Sequence, residues 1–136
     1  MDARSRTNAK ILDRAGLLSV RRSAREAGVS VVQCHGCFDI VHPGHVRHLQ
    51  FAATQGERLL VSITPDADVD KGDGRPLFSQ DLRAENLAAL DCVDWVYVND
   101  EPTAKGLLEA FRPDVYIKGR EYEQNDDPRF LSERAV

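Results

Sequence analysis

Only three cysteines occur in the 136 residues. So small and odd a number argues against a disulfide scaffold and fits a reducing, cytoplasmic compartment. No apolar run approaches the roughly 18 residues that span a bilayer. The opening Met1-Asp-Ala-Arg-Ser-Arg has no apolar stretch behind it, so neither a membrane anchor nor a secretory signal is expected. An overall basic excess is missing too: 18 Lys and Arg stand against 22 Asp and Glu, a net charge of −4. Residues 1–28 hold seven basic and three acidic side chains, a net of +4, which leaves −8 for the remainder. An acidic body argues against nucleic acid as a partner. It does not exclude a phosphate ligand, which needs only a few well-placed cations and often Mg²⁺. The 42% hydrophobic and 29% charged fractions are ordinary for a globular protein. The length predicts one domain, with roughly two thirds of its unfolded surface buried.

What the chain does have is concentrated. All four histidines fall within residues 35–48, in His35-Gly-Cys-Phe-Asp-Ile-Val-His42-Pro-Gly-His45-Val-Arg-His48. Cys34 and Cys37 sit beside and inside this stretch. Zinc is one reading, with Cys34, Cys37, His42 and His45 as ligands, but so short a spacing leaves little chain to fold around a tetrahedral ion. A redox Cys-x-x-Cys is another. It needs its first cysteine at a helix N-terminus, whereas Pro43-Gly44 places the helix start several residues later. The third reading is an anion site. His42 and His45 flank Pro-Gly at the mouth of a helix, where free N–H groups and the positive end of the dipole lie. Gly36 and Gly44 allow close approach of backbone to a ligand.

The pattern around the cluster predicts an α/β protein. Val29–Cys34 reads as a strand, Gly44–Gln55 as a helix with Val46, Leu49 and Ala53 on its buried face, and Leu59–Ile63 as a buried strand. Gly56 is expected just past the helix end. Ser79 is a candidate N-cap for a helix to about Leu90. Val93–Val98 and Asp114–Lys118 read as strands around a helix from Pro102 to Phe111. The leader is expected to split at Gly16 into two helical pieces. Leu17, Val20, Ala24 and Ala27 would face the sheet, with the basic side solvated. Alternating strands and helices imply a doubly wound parallel sheet, with ligands beyond the carboxyl ends of the strands. Trp95 and Cys92 are expected in the packing.

Gly36-Cys-Phe-Asp-Ile-Val-His42-Pro-Gly-His45 resembles the G-x-F-D-x-x-H-x-G-H signature of the cytidylyltransferase-like nucleotidyltransferases. Lys71-Gly-Asp-Gly-Arg-Pro76, Asp81-Leu-Arg83, Val93–Val96 and Arg112–Gly119 are similar, in the same order, to segments of the adenylyltransferase domain of ADP-heptose synthases. The likeness covers roughly residues 10–123. It implies a Rossmann-like doubly wound sheet of the nucleotidylyl transferase α/β phosphodiesterase type, with residues 1–28 a helical leader and 29–136 the transferase domain. It implies transfer of AMP, or CMP, from a nucleoside triphosphate (ATP or CTP) to a phosphorylated sugar or similar small molecule, with Mg²⁺ carried mainly by the triphosphate. His42 and His45 would contact the triphosphate; Lys71 and Arg83 would hold phosphate; Arg75 would meet the acceptor phosphate. Gly36, Cys37, Phe38, Gly44, Lys118 and Gly119 would line the nucleotide. A homodimer and fusion to a sugar kinase are further expectations. The alternatives are a CTP-dependent enzyme on a polyol or amino-alcohol phosphate, a non-catalytic nucleotide-binding domain, and the zinc or redox module.

The sequence departs from the family pattern in three places. His35 stands where relatives commonly have a small polar residue, and Arg120 replaces a glycine of the usual Lys-Gly-Gly. The I-S-[ST]-T segment, which follows a further strand in relatives, is not found, so the 136 residues read as a shortened piece.

Overall fold

The computed structural model describes residues 2–69 and 78–118. In chain order it contains α1 (Ala3–Ala9), β1 (Ile11–Leu12), α2 (Arg14–Ala27), β2 (Val31–Gly36), α3 (Pro43–Ala53), β3 (Arg58–Ile63), a 3₁₀ turn at Asp66–Asp68, α4 (Gln80–Ala88), β4 (Trp95–Val98), α5 (Lys105–Phe111) and β5 (Val115–Lys118). The strands form one sheet in the order β1-β4-β3-β2-β5, and every pairing is parallel. The expected doubly wound architecture is therefore present.

Alternate residues of the strands feed two cores, as a sheet covered on both faces requires. Val32, Cys34, Leu59, Val61, Ile63 and Val96 pack with Leu49 and Ala52 of α3 and with Ala84 and Leu87 of α4. Val31, Leu60 and Tyr97 pack on the other side with Leu17 and Ala24 of α2 and Leu107 and Phe111 of α5. Trp95 packs against this second cluster and Cys92 against the first. Burial pushes the Cys92 thiol up from its ordinary range.

The strand order fixes where a ligand can enter. From β2 the chain steps outward through β3 and β4, then returns so that β5 lies on the other side of β2. The order thus switches at β2, where His35 pairs in register with Lys118 of β5. The crevice between oppositely directed connections opens at such a point, and the histidine-rich segment leaves β2 there.

The leader differs from expectation. Gly16 does not divide two helices; it lies in the first turn of α2, where its N–H donates to the Asp13 cap at 2.7 Å. Before that cap, Ile11–Leu12 pairs with Val96–Tyr97 as an edge strand. The basic side of α2 is not simply solvated. Arg21 is buried, and its Nε donates to the Phe111 carbonyl while NH1 reaches Asp114 at 3.3 Å. Arg25 donates to the carbonyls of Phe111 and Arg112. These cations satisfy the open carbonyls at the C-terminus of α5, where the dipole favours them. Pro102 also lies outside its helix, which begins only at Lys105.

Candidate active site

The site is built on the N-terminus of α3. His42 is the N-cap, and the Gly44 N–H donates to its Nδ1 at 3.0 Å. In return the His42 N–H donates to Nδ1 of His45 at 3.3 Å. This is a capping box in which two imidazoles take the usual places of Ser/Thr and Glu/Gln. Pro43 occupies the first helical position, where its missing N–H costs nothing. The two rings lie 3.9 Å apart, centre to centre. With each Nδ1 acting as acceptor, the neutral rings carry their hydrogen on Nε2. The helix mouth therefore presents imidazole N–H groups beside its own positive dipole end, an arrangement suited to an anion.

Phe38 supports this pair from below. It has a φ of 51°, unusual for a bulky residue. Its buried ring meets His45 edge-on, at 5.5 Å and 68°. Gly36 ends β2 and accepts the Thr64 N–H through its carbonyl. Cys37 is buried, as is Cys34, which sits in the core beneath α3 and α4. Among the described residues no group of three or more His, Cys, Asp or Glu is arranged to hold a metal ion. Cys34 belongs to the packing of the core, and neither cysteine stands at the helix N-terminus that the redox reading requires.

On the far side of the crevice Lys118 is buried, its Nζ 5.4 Å from the centre of the Tyr116 ring. Nε2 of His48 donates to the Lys118 carbonyl at 2.8 Å. His48 thereby ties α3 to the end of β5. His35 is tied into the sheet, with Nδ1 2.8 Å from the Ser62 hydroxyl, which accepts from Gln33 at 2.9 Å. Lys71, Arg75, Gly119 and Arg120 lie outside the described residues.

Arg83, expected to hold ligand phosphate, has a side chain of 0% exposure. Its Nε donates to the Phe78 carbonyl, NH1 to those of Cys37 (3.0 Å) and Thr64 (2.7 Å), and NH2 to Asp66 Oδ1 at 2.9 Å. The guanidinium is thus occupied with the loops that frame the crevice. Asp39 takes part as well: its buried carboxylate accepts the Phe78 N–H at 3.0 Å. Gln80 accepts the Asp66 N–H. Nothing in the spacing of Asp39, Asp66 or Gln80 reveals these roles, because each partner is a backbone group or a residue brought near only by the fold.

Comparisons with known proteins agree with this geometry. Residues 33–132 match the family model described as cytidylyltransferase-like. The chain is 46% identical over 115 residues to a protein named bifunctional protein HldE from Halorhodospira halophila, covering 83% of this chain and 24% of that protein. Proteins of the same name from Pseudomonas paraeruginosa and Geobacter metallireducens are 48% and 41% identical over 108 and 120 residues, covering 78% and 87% of this chain and 23% and 24% of theirs. The chain thus spans about a quarter of the length of these curated relatives. Among solved structures, a lipopolysaccharide core biosynthesis protein from Thermoplasma volcanium superimposes with a TM-score of 0.65 at 27% identity, covering 79% of this chain and 86% of that one. With its signature segment at the switch point of a parallel sheet and most of its length matched by the family model, the chain belongs to the cytidylyltransferase-like family.

Proposed function

We propose that the chain is a nucleotidyltransferase domain that moves AMP from ATP to a phosphorylated sugar and releases pyrophosphate. An oxygen of the acceptor phosphate attacks the α-phosphorus; the bond from that phosphorus to the bridging oxygen of the β-phosphate breaks, and the electron pair leaves with pyrophosphate. The acceptor phosphate has a second pKa of about 6, so near neutrality it is already a dianion and needs no strong base. The work left to the protein is positioning and charge stabilisation.

The observation that carries this reading is the reciprocal imidazole cap of His42 and His45 on α3. Donors aimed from a helix mouth suit the charge that builds on the α-phosphoryl oxygens. In this reading Gly36, Cys37, Phe38 and Gly44 line the nucleotide, with Lys118 and Gly119 across the crevice. Lys71 and Arg75 supply cations to the phosphates. Mg²⁺ comes with the triphosphate. Likeness to bifunctional relatives and to a lipopolysaccharide core biosynthesis protein favours a sugar phosphate as acceptor and a fused kinase domain as partner. Transfer of CMP to a polyol phosphate is the second reading, favoured by the family description alone.

A thermal-shift panel of ATP, CTP, GTP and UTP with Mg²⁺, followed by pyrophosphate release with sugar 1-phosphates, tests the assignment. A specific nucleotide at a hundredfold excess over Kd stabilises by about 2.7 kcal/mol. Stabilisation by ATP with turnover supports adenylyl transfer, and by CTP the second reading. Stabilisation without turnover favours a non-catalytic binding domain, and a flat panel overturns nucleotide chemistry altogether.

A further inference from the structure

Arg83 is an expensive residue for its place. It stands in the first turns of α4, where a cation opposes the dipole, and its guanidinium is removed from water. An apolar side chain would pack a helix against the sheet without that cost. What the guanidinium adds is direction. It binds carbonyls in three separate segments: Cys37 after β2, Thr64 after β3 and Phe78 before α4. Its one carboxylate partner among the described residues, Asp66, is 43% exposed and so neutralises it only in part.

The Cys37 carbonyl belongs to the peptide plane that precedes Phe38. Phe38 is held at a φ of 51°, a conformation that a bulky residue leaves unless its neighbours prevent it. Relaxation by rotating that peptide would swing the Cys37 carbonyl away from NH1 of Arg83. The hydrogen bond at 3.0 Å opposes the rotation. Phe38 in turn sets its ring edge against His45, and Nδ1 of His45 accepts the His42 N–H. A continuous path runs from the guanidinium through one strained peptide to the imidazole pair.

We propose that Arg83 is a positioning residue: by holding the Cys37–Phe38 peptide it fixes the ring of His45, and with it the donors offered to the α-phosphoryl group. The catalytic half of this statement rests on the nucleotidyl transfer proposed above; the positioning half does not.

The test follows the histidine ring signals of ¹⁵N-labelled protein without ligand, alongside kcat, KM and Tm. Arg83→Lys keeps the charge and loses the fork. It is expected to move or broaden the His45 signals and to lower kcat at least about tenfold, with the nucleotide KM within about threefold. Phe38→Gly, which tolerates the positive φ but has no ring, should move the same signals with Arg83 intact. The double variant should then be no slower than Phe38→Gly, because both substitutions interrupt one path. Unchanged His45 signals in Arg83→Lys, with only Tm lowered, would make Arg83 plain scaffolding and overturn the proposal. Additive losses of kcat would overturn the route through Phe38. Should Arg83→Lys fail to fold, Asp66→Ala weakens the outer end of the same guanidinium. A smaller His45 shift then supports the proposal, and none overturns it. If the wild-type protein turns over no nucleotide, the functional reading fails while the ring signals still decide the role of Arg83.

Discussion

His42 and His45 cap one helix for each other: Nδ1 of the first accepts the Gly44 N–H, and Nδ1 of the second accepts the His42 N–H. This reciprocity fixes the tautomer. In the ligand-free protein at mildly alkaline pH both rings should carry hydrogen on Nε2 and none on Nδ1. Nitrogen-15 spectra of the histidine rings read this directly. A Nδ1–H tautomer at either residue would mean that the cap is not made and that the donors point into the helix rather than toward a ligand.

Capping and chemistry can be separated at His42. Asparagine is among the best N-caps, and its side-chain oxygen can accept the same backbone N–H. His42→Asn should therefore keep α3 to within about 0.5 kcal/mol of the original stability. It removes the imidazole donor, and losing one donor to a developing oxyanion typically costs about 100- to 1,000-fold in kcat. Urea denaturation and pyrophosphate release on the same sample check both halves. A fall in stability that accounts for the fall in rate would reduce His42 to a cap.

His48 joins the phosphate-facing helix to the strand end across the crevice, through its bond to the Lys118 carbonyl. Replacing it with Phe keeps the ring and deletes the donor, at a cost of about 1 kcal/mol for a partly buried hydrogen bond. Nucleotide affinity should weaken as the end of β5 loosens. His48→Gln, whose amide can donate, should recover most of both losses. Equal affinities in the two variants would show that the tether is irrelevant to the ligand.

The contrast between His42 and Arg83 shows how far the sequence could be read. The cap of α3 is local: Pro43, Gly44 and the spacing of His42 and His45 lie within four residues, so an anion site at a helix mouth is legible before any fold is known. Arg83 is not local. Its position in the first turns of α4 marks it as costly, and that much is visible in the sequence. Its acceptors, however, are carbonyls 46, 19 and 5 residues away, and carbonyls leave no mark in a sequence. The sequence suggests a phosphate role for this arginine; the protein oxygens around it appear only in the fold. β1 was missed for a related reason. Two residues show no periodicity, and only pairing with Val96 and Tyr97 defines Ile11–Leu12 as a strand. The apolar strands β2 and β3, whose character needs no partner to be seen, were placed within two residues of their ends.

Gly56 and Gly106 are equally crowded yet should respond oppositely to alanine. A Cβ on Gly56 would lie 2.7 Å from Cγ2 of Val32, a fully buried side chain of β2. Gly56 was expected just past the helix end, but α3 stops earlier, at Ala53 with Thr54 as its cap, and crowding against the sheet is what calls for glycine. Gly56→Ala should cost about 1–3 kcal/mol by overpacking, and Val32→Ala should relieve part of it in a double-mutant cycle. On Gly106 the Cβ would also meet an atom at 2.7 Å, but that atom is Oε2 of the exposed side chain of Glu101, which can swing away. Gly106→Ala lies within α5 and should be neutral or stabilise by up to about 1 kcal/mol through helix propensity. Chemical denaturation of both variants decides the matter, and a destabilised Gly106→Ala would mean that Glu101 is held more firmly than its exposure suggests.

Acid should loosen the fastening that Asp114 makes. The Val31 N–H donates to its carboxylate at 2.8 Å and, with Arg21 beside it, holds the carboxyl below its ordinary 3.8, against the opposing effect of burial. A carboxyl depressed in the folded state contributes stability above its unfolded pKa and loses it as the pH falls through the lowered value. The contribution should therefore be constant near neutrality and fade only below about pH 4. Because the side chain is 46% exposed, screening limits it to about 1 kcal/mol. Asp114→Asn keeps an oxygen for Val31 but not the charge toward Arg21. Urea midpoints should differ between wild type and variant at neutral pH and converge as the wild-type carboxyl is protonated. A gap that persists unchanged down to about pH 3 would assign the loss to shape or packing and remove the charge from the account of how α2 is fastened to the end of α5.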